Sequence, residues 1–194
     1  NYKTIQGLTY DFFNPYPTIS ASSMQAFFSS NINAPLKIGE KEDIKFDYTE
    51  KTNILEIPRL SLISPIIFPK SDNLASLQRD LNNGAVYYPG SVYPEEKGDI
   101  VILGHSAPPN WPKTKYDWIF SDIEDLNIGD EVILNLNNKK YKYSINKKII
   151  IKRGEEIPAN ISTDNNYSNL TIVSCWPPGK DYQRIALQAV LLTQ

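Results

Sequence analysis

The sequence predicts a mainly β domain with a few short helices, preceded by an N-terminal extension. From Thr52 onward, short runs rich in branched and apolar residues alternate with turn residues, a pattern typical of strands. The 14 prolines outnumber the 9 glycines, which favours short strands joined by stiff loops. A chain of 194 residues is long enough for one domain with a sizeable core.

Composition and charge exclude several classes of function. The net charge is −2 and acids and bases are interspersed, unlike a basic nucleic-acid-binding surface. One cysteine and one histidine exclude an internal disulfide, a cysteine-rich zinc site and a multi-histidine metal site. No apolar run reaches 18 residues, and the chain begins at Asn1 without a signal sequence, so we expect a soluble portion of a longer protein.

The first 51 residues differ from the rest, and we expect two units, residues 1–51 and residues 52–194. In the first unit, apolar residues at helical spacing predict a short helix packed on the main body. They are Ala21, Met24, Phe27 and Phe28. A mixed-charge run over residues 40–43 indicates a solvent-exposed joint before the β domain.

The β domain opens with strands and a helix. The predicted elements are strand-like runs 53–58 and 60–68, a helix capped by Ser71 and Asp72 with Leu74, Leu77 and Leu81 on one face, and a strand over residues 85–88. Residues 100–104 carry no polar side chain, which predicts a strand buried on both faces. The only histidine, His105, ends this strand. Gly104 lacks a side chain, as expected where another backbone segment comes close.

A second helix and a hairpin follow. Residues 121–124 (Ser-Asp-Ile-Glu) have the form of a capping box, which predicts a helix N-terminus. The carboxylates of Asp122, Glu124 and Asp125 are candidate calcium ligands, but the helix dipole explains them better. Apolar residues alternate on both sides of Asn137-Asn138, which predicts a β-hairpin over residues 132–145 that extends to Lys152.

The only cysteine ends a predicted strand near the C-terminus. Residues 170–173 have strand character, Cys175 follows, and the paired prolines after Trp176 stop the strand. A long polar loop over residues 153–169 precedes this strand, and such loops often shape binding sites. A closing strand over residues 185–192 begins at Arg184.

Cys175, His105 and Arg184 lie at one end of the sheet if two strand pairings form. The strand of Cys175 must pair antiparallel with that of Arg184 and parallel with that of His105. Acyl chemistry at a thiol needs a thiolate, an acid for the leaving amine and a donor for the oxyanion. The alternative without catalysis is that Cys175 is a small buried hydrophobe and His105 is a structural residue. No carboxylate flanks His105 in the sequence, so we expect near-ordinary pKa values for thiol and imidazole.

From residue 52 to the C-terminus, the chain resembles the sortases, cysteine transpeptidases of the bacterial cell surface. The resemblance rests on Leu103-Gly104-His105-Ser106, on residues 120–126 followed by Gly129-Asp130, on Thr171-Ile172-Val173-Ser174-Cys175, and on Arg184 before an apolar strand. The family motif before the cysteine is usually Thr-Leu-x-Thr-Cys, where this chain has Ile172 and Ser174. The resemblance implies a closed eight-stranded β-barrel.

The resemblance also implies a reaction and its residues. Such enzymes cleave a C-terminal sorting signal of the Leu-Pro-x-Thr-Gly type between Thr and Gly. They then pass the acyl group to an amine of a cell-wall precursor or a pilin. By position, Cys175 is the nucleophile, His105 the general acid and base, and Arg184 the oxyanion and substrate clamp. Val173, Ser174 and Trp176 are expected to bind substrate.

The expected partners are sorting-signal-bearing surface proteins and the amine acceptor, with no nucleic acid. We expect a location on the extracellular face of the cell membrane, through an anchor absent from this sequence. No cofactor is required, although Glu155, Glu156 and Asp164 are a candidate calcium site, as in some housekeeping sortases. The subclass, housekeeping or pilin-type, stays open, as does a lid role for the extension.

Two alternatives stay open. An L,D-transpeptidase places histidine and glycine directly before its cysteine, and Val173-Ser174 does not fit that pattern. A non-catalytic surface β-domain has a similar composition, but it gives no reason for cysteine, histidine and arginine at matching strand ends.

Overall fold

The computed structural model describes residues 45–113, 115–158 and 167–192. Their structure is mainly β. The strands are β1 (Asp47–Tyr48), β2 (Ile54–Ile57), β3 (Leu62–Ile67), β4 (Ala85–Tyr87), β5 (Gly98–Leu103), β6 (Glu131–Leu136), β7 (Lys139–Lys152), β8 (Ser168–Trp176) and β9 (Gln183–Leu191). The helices within these residues are α1 (Leu74–Leu81) and the 3-10 helices Pro58–Leu60 and Ile123–Asp125.

Eight of these strands close into a barrel. The strand order is β1-β7-β6-β2-β3-β4-β5-β8-β9, and β7 also pairs with β9. Strand β7 can do both because it has 14 residues: its first part pairs with β6 and its later part pairs with β9. Strand β1 adds two residues to the edge of β7. The expected closed eight-stranded barrel is confirmed.

The barrel interior holds the main hydrophobic core. Alternate residues of each strand point inward, as the two-residue period of a strand requires. On the wall formed by β5, β8 and β9, the inward residues are Ile100, Ile102, Leu170, Ile172, Ile185 and Leu187. The outward residues of the same wall join a smaller cluster beneath α1, formed by Leu77, Leu81, Val86, Val101, Leu103, Val173 and Ala186.

The predicted hairpin is confirmed, because β6 and β7 pair antiparallel across Asn137 and Asn138. Both turn residues have positive φ (51° and 62°), a conformation that asparagine tolerates better than most residues. The buried strand before His105 is also confirmed, since every residue from Ile100 to Leu103 is buried.

Both predicted helix caps are wrong. Helix α1 begins at Leu74, and its cap is Asn73, whose Oδ1 accepts from the backbone N–H of Ser76 (2.9 Å). The Ser71 hydroxyl oxygen instead accepts from the Asn73 side chain (2.7 Å). The capping box fails because Ser121 Oγ accepts from the N–H of Ala107 (2.8 Å), so only a 3-10 turn forms there.

Of the expected N-terminal extension, the structure describes residues 45–51, which include β1. Phe46 packs on the main core, with its ring centroid 4.7 Å from that of Tyr141. The helix predicted around Met24 lies outside the described residues, as does Asp164 of the candidate calcium site. In the described part of the chain, no helix is long and apolar enough to cross a membrane.

Candidate active site

Three neighbouring strands bring Cys175, His105 and Arg184 to one end of the barrel. Strand β8 lies between β5, to which it is parallel, and β9, to which it is antiparallel. Both pairings required by the sequence analysis are therefore present. Cys175 is directly opposite Arg184 in the β8–β9 register.

On the other side of β8, the β5 register places Leu103 beside Val173, and the N–H of Gly104 donates to the carbonyl of Val173 (3.2 Å). Two residues beyond each member of that pair, His105 lies level with Cys175. The backbone at this end is tied together by the Ser106 hydroxyl, which donates to the carbonyl of Cys175 (2.7 Å).

Strand alternation places the side chains of Cys175 and Arg184 on the outer face of the wall. Cys175 is two residues from Val173, His105 two from Leu103, and Arg184 two from Ala186. Those three neighbours belong to the outer cluster beneath α1. Because side chains alternate along a strand, Cys175 and Arg184 point to the outer face. Continuing the alternation of β5 by two residues gives His105 the same face. The candidate site therefore lies outside the barrel core, beside an apolar floor.

The Cys175 thiol is partly buried and free of any disulfide. Burial raises the pKa of this thiol, because a thiolate loses hydration inside the protein. The guanidinium groups of Arg184 and Arg153 act in the opposite direction and favour the thiolate, whereas the carboxylate of Asp181 disfavours it. The net pKa lies above the ordinary thiol value, so at neutral pH the group is mainly a thiol.

The His105 imidazole is also partly buried, and burial lowers its pKa, because the imidazolium loses hydration. The carboxylate of Asp117 partly opposes this shift. The expected near-ordinary pKa values are therefore wrong, because burial raises the pKa of the thiol and lowers that of the imidazole. No carboxylate flanks His105 in the sequence, but one comes near it in the fold. Asp117 reaches it from the loop after β5, where its Oδ2 accepts from Trp111 Nε1 (2.7 Å). Residues 106–116 separate the two in sequence, and no local pattern could predict this approach.

Arg184 is buried to 4% exposure at the start of β9. Its Nη1 donates to the carbonyl oxygens of Asp181 (3.1 Å) and Gln183 (2.8 Å). The Asp181 carboxylate forms an ion pair with Arg153 (3.1 Å), so the loop that carries Arg184 is fixed to the end of β7. The sequence analysis did not single out Arg153 or Asp181.

Two glycines allow the loops around the site to close. A Cβ on Gly104 would lie 2.3 Å from the ring of Phe120, so this position accepts no side chain unless the ring moves. The nearest partner of such a Cβ is an aromatic ring, and the backbone of β8 also comes close, since the N–H of Gly104 donates to the carbonyl of Val173 (3.2 Å). Gly179 has φ +75°, and a Cβ there would lie 2.5 Å from Pro108. The β8–β9 loop consequently packs directly on the loop after His105.

The three residues expected to bind substrate have different positions. Val173 is buried (4% exposed) on the same face as Cys175, in the cluster beneath α1. Ser174 is fully buried and points to the opposite face, where its hydroxyl donates to the carbonyl of Gly104 (2.8 Å). Trp176 is partly exposed and donates from Nε1 to Glu124 Oε2 (2.8 Å). Trp176 follows Cys175 in β8 and therefore points to the opposite face, where it packs against the main core.

Part of the candidate calcium site lies within the described residues. Glu155 is exposed, and its Oε2 accepts from the backbone N–H of Lys152 (2.7 Å). Among the residues with described positions, no group of three or more histidine, cysteine or acidic side chains is arranged to hold a metal ion. The candidate calcium site stays a prediction, because Asp164 lies outside this part of the chain.

Comparison with known proteins agrees with this geometry. The chain matches the Sortase domain family over residues 55–192. It belongs to the sortase family. Among curated proteins, it is 26% identical over 149 residues to Sortase D of Bacillus subtilis strain 168. That match includes 77% of this chain and 66% of the relative, so the chain spans just under two thirds of the relative's length.

Solved sortases share the fold. A lid mutant of Sortase A from Corynebacterium diphtheriae superposes with a TM-score of 0.56 at 18% identity, over 73% of this chain and 69% of that one. Sortase C of Streptococcus pneumoniae gives 0.58 at 18% identity, over 77% and 72%. Sortase C1 of Streptococcus agalactiae gives 0.56 at 16% identity, over 73% and 66%. At these identities the likeness establishes the barrel alone.

Proposed function

We propose that this chain is the catalytic portion of a cysteine transpeptidase. In this proposal it cleaves a C-terminal sorting signal of the Leu-Pro-x-Thr-Gly type and joins the new carboxyl end to an amine. The observation that carries the proposal is the register of β5, β8 and β9. It puts Cys175, the only cysteine of the chain, on the strand between the one that His105 follows and the one that carries the buried Arg184. Membership of the sortase family supports the reaction class.

The first half-reaction makes a thioester. The Cys175 thiolate attacks the carbonyl carbon of threonine, and Arg184 stabilises the negative charge that develops on the carbonyl oxygen. The Thr–Gly C–N bond then breaks, and the His105 imidazolium donates its proton to the leaving amine. The thioester and a neutral imidazole remain.

The second half-reaction releases the product. The nitrogen of an acceptor amine attacks the thioester carbon, the C–S bond breaks, and Cys175 leaves as the thiolate. His105 accepts the proton that the attacking nitrogen loses, which restores the starting state. We propose that the acceptor is an amine of a cell-wall precursor or of a pilin, and that the substrates are surface proteins bearing the sorting signal.

The remaining proposals concern organisation and location. We assign residues 52–194 to the catalytic barrel and residues 1–51 to an extension packed on it. The contact of Phe46 with the main core supports the packing of the end of that extension. Sortases act at the cell surface, and we propose that this one acts on the extracellular face of the membrane.

The experiment is cleavage of a fluorescent sorting-signal peptide by wild type and by Cys175→Ala. We expect no thioester by intact mass and no cleavage by the variant. Its stability should fall only modestly, by about 1–2 kcal/mol, as for loss of a small buried group. Melting of both proteins controls for folding. Wild-type turnover by folded Cys175→Ala would refute the proposal, as would failure of wild type to form a thioester with any of a panel of sorting-signal peptides.

A further inference from the structure

A cavity with a volume of 180 Å³ opens beside the candidate active site. Its walls come from the loop after β5 and from the β8–β9 loop, which contributes Pro178. Ala107 and Pro108, which line it, follow His105 by only two and three residues. Pro178 follows Cys175 by three. The cavity is therefore built from the two loops that directly follow His105 and Cys175 at this end of the barrel.

The chemistry of the walls is specific. Trp111 and Trp118 line the cavity together with the carboxylates of Asp122 and Glu124. The third and last tryptophan of the chain, Trp176, donates its indole N–H to Glu124 (2.8 Å). Two of the three tryptophans of this protein thus line one cavity with two carboxylates, and the third contacts one of those carboxylates. Indole faces and carboxylates together form a site for a cation.

An ammonium group of the chain itself already uses this site. Lys113 lines the cavity, and its Nζ lies 4.6 Å from the ring centroid of Trp118. An alkyl ammonium therefore fits against the ring of Trp118. Two carboxylates against one ammonium leave the lining with a net negative charge, which favours a second cation.

We propose that this cavity binds the primary ammonium of the acyl acceptor and delivers it to the thioester on Cys175. This inference rests on the proposed transpeptidase function. The bound ammonium first loses one proton to solvent, and the resulting amine attacks the thioester carbon. The C–S bond breaks, and the second proton passes to His105, so atoms and charge balance. Lys113 then competes with the acceptor for the face of Trp118.

The test separates amine capture from thioester formation. A thioester formed from a sorting-signal peptide reacts either with water or with Nα-acetyl-lysine amide. For each variant, kcat/KM for the amine is compared with the rate of thioester hydrolysis. Asp122→Asn should lower kcat/KM for the amine by about 2- to 5-fold, as for loss of an exposed ion pair. Asp122→Lys should lower it further. Hydrolysis should be unchanged in both variants.

Two variants serve as controls of opposite kind. Asp125→Asn removes an equally exposed carboxylate of the same segment that does not line the cavity, and it should leave kcat/KM for the amine unchanged. Lys113→Met removes the internal competitor, so it should raise kcat/KM for the amine. Structural damage would not change the two cavity variants in opposite directions.

Direct binding supplies an independent readout. Tryptophan fluorescence of the Cys175→Ala variant should change saturably with Nα-acetyl-lysine amide and not with Nα-acetyl-norleucine amide, which lacks the ammonium. Equal effects of Asp122→Asn and Asp125→Asn on kcat/KM for the amine would overturn the cavity proposal. Continued formation and hydrolysis of the thioester would still support the transpeptidase proposal. Absence of any thioester in wild type would overturn both.

Discussion

The two faces of the β5–β8–β9 wall differ in what their side chains contact. Inward residues such as Ile102, Ile172 and Leu187 are at most 1% exposed and belong to the main core. Outward residues form a small apolar cluster beneath α1. At the end of the barrel, Cys175 and Arg184 follow this cluster on the same face. One set of strands thus serves two purposes. The packed inner face holds the backbone rigid, and the outer face uses that rigidity to position reactive groups.

Truncation of an inward residue should change stability and spare the chemistry. Ile172→Ala removes a side chain that is 1% exposed in the main core. We expect the free energy of unfolding to fall by about 2–5 kcal/mol, as measured for isoleucine truncations in other cores. Urea unfolding gives this value, while kcat per folded molecule should stay near that of wild type. The matched outward change, Val173→Ala, removes less volume from a smaller cluster and should cost less. The reverse order of stability would contradict the assignment of the two faces.

Removal of the outward Arg184 should change the chemistry strongly. We expect Arg184→Ala to lower kcat by about 100- to 1,000-fold, the usual loss for an oxyanion donor. KM should change less, because such a donor acts mainly in the transition state. Arg184→Lys should restore activity only in part, since it keeps the charge without the planar donors.

Arg153 provides the matched control for that effect. Its guanidinium also favours the Cys175 thiolate, but it forms an ion pair with Asp181 at the end of β7. Arg153→Ala should lower kcat much less than Arg184→Ala. Both variants should raise the pH midpoint for alkylation of Cys175, because both remove a cation that favours the thiolate. Similar losses of kcat in the two variants would mean that Arg184 acts only through its charge.

The smallest expected effect is on the pH profile. The active pair is a thiolate with an imidazolium, and burial has raised the thiol pKa and lowered the imidazole pKa. The bell-shaped profile should therefore be broad, with its acid limb set by His105 and its alkaline limb by Cys175. Asp117 raises the pKa of His105, so Asp117→Asn should move the acid limb to lower pH.

The height of the plateau distinguishes two protonation states. If an imidazolium is required, the plateau of Asp117→Asn should fall by the same factor as the acid limb shifts, because fewer molecules carry the proton. If a neutral histidine acted as base towards the thiol, the plateau would not fall. A Cys175 alkylation midpoint near pH ~4 in wild type would indicate a preformed ion pair and would contradict a thiol pKa raised by burial.

The sequence by itself determined the strands and the identity of the reactive residues. Periodicity of two marks the hairpin around Asn137, and an unbroken apolar run marks the strand before His105, because burial fixes which residue types a strand can carry. The unique cysteine and histidine, each at a strand end, identified the candidates, and their spacing allowed the pairings that the structure contains.

Only the tertiary structure decided what surrounds those residues. The approach of Asp117 to His105, the ring of Phe120 against Gly104 and the cavity lined by Trp111 and Trp118 all join segments that are remote or irregular in sequence. Ser121 has the local pattern of a helix cap, yet Ala107 offers its hydroxyl a better partner. Local patterns report the period and burial of one element, whereas electrostatics and loop contacts depend on distances between elements that only the closed barrel sets.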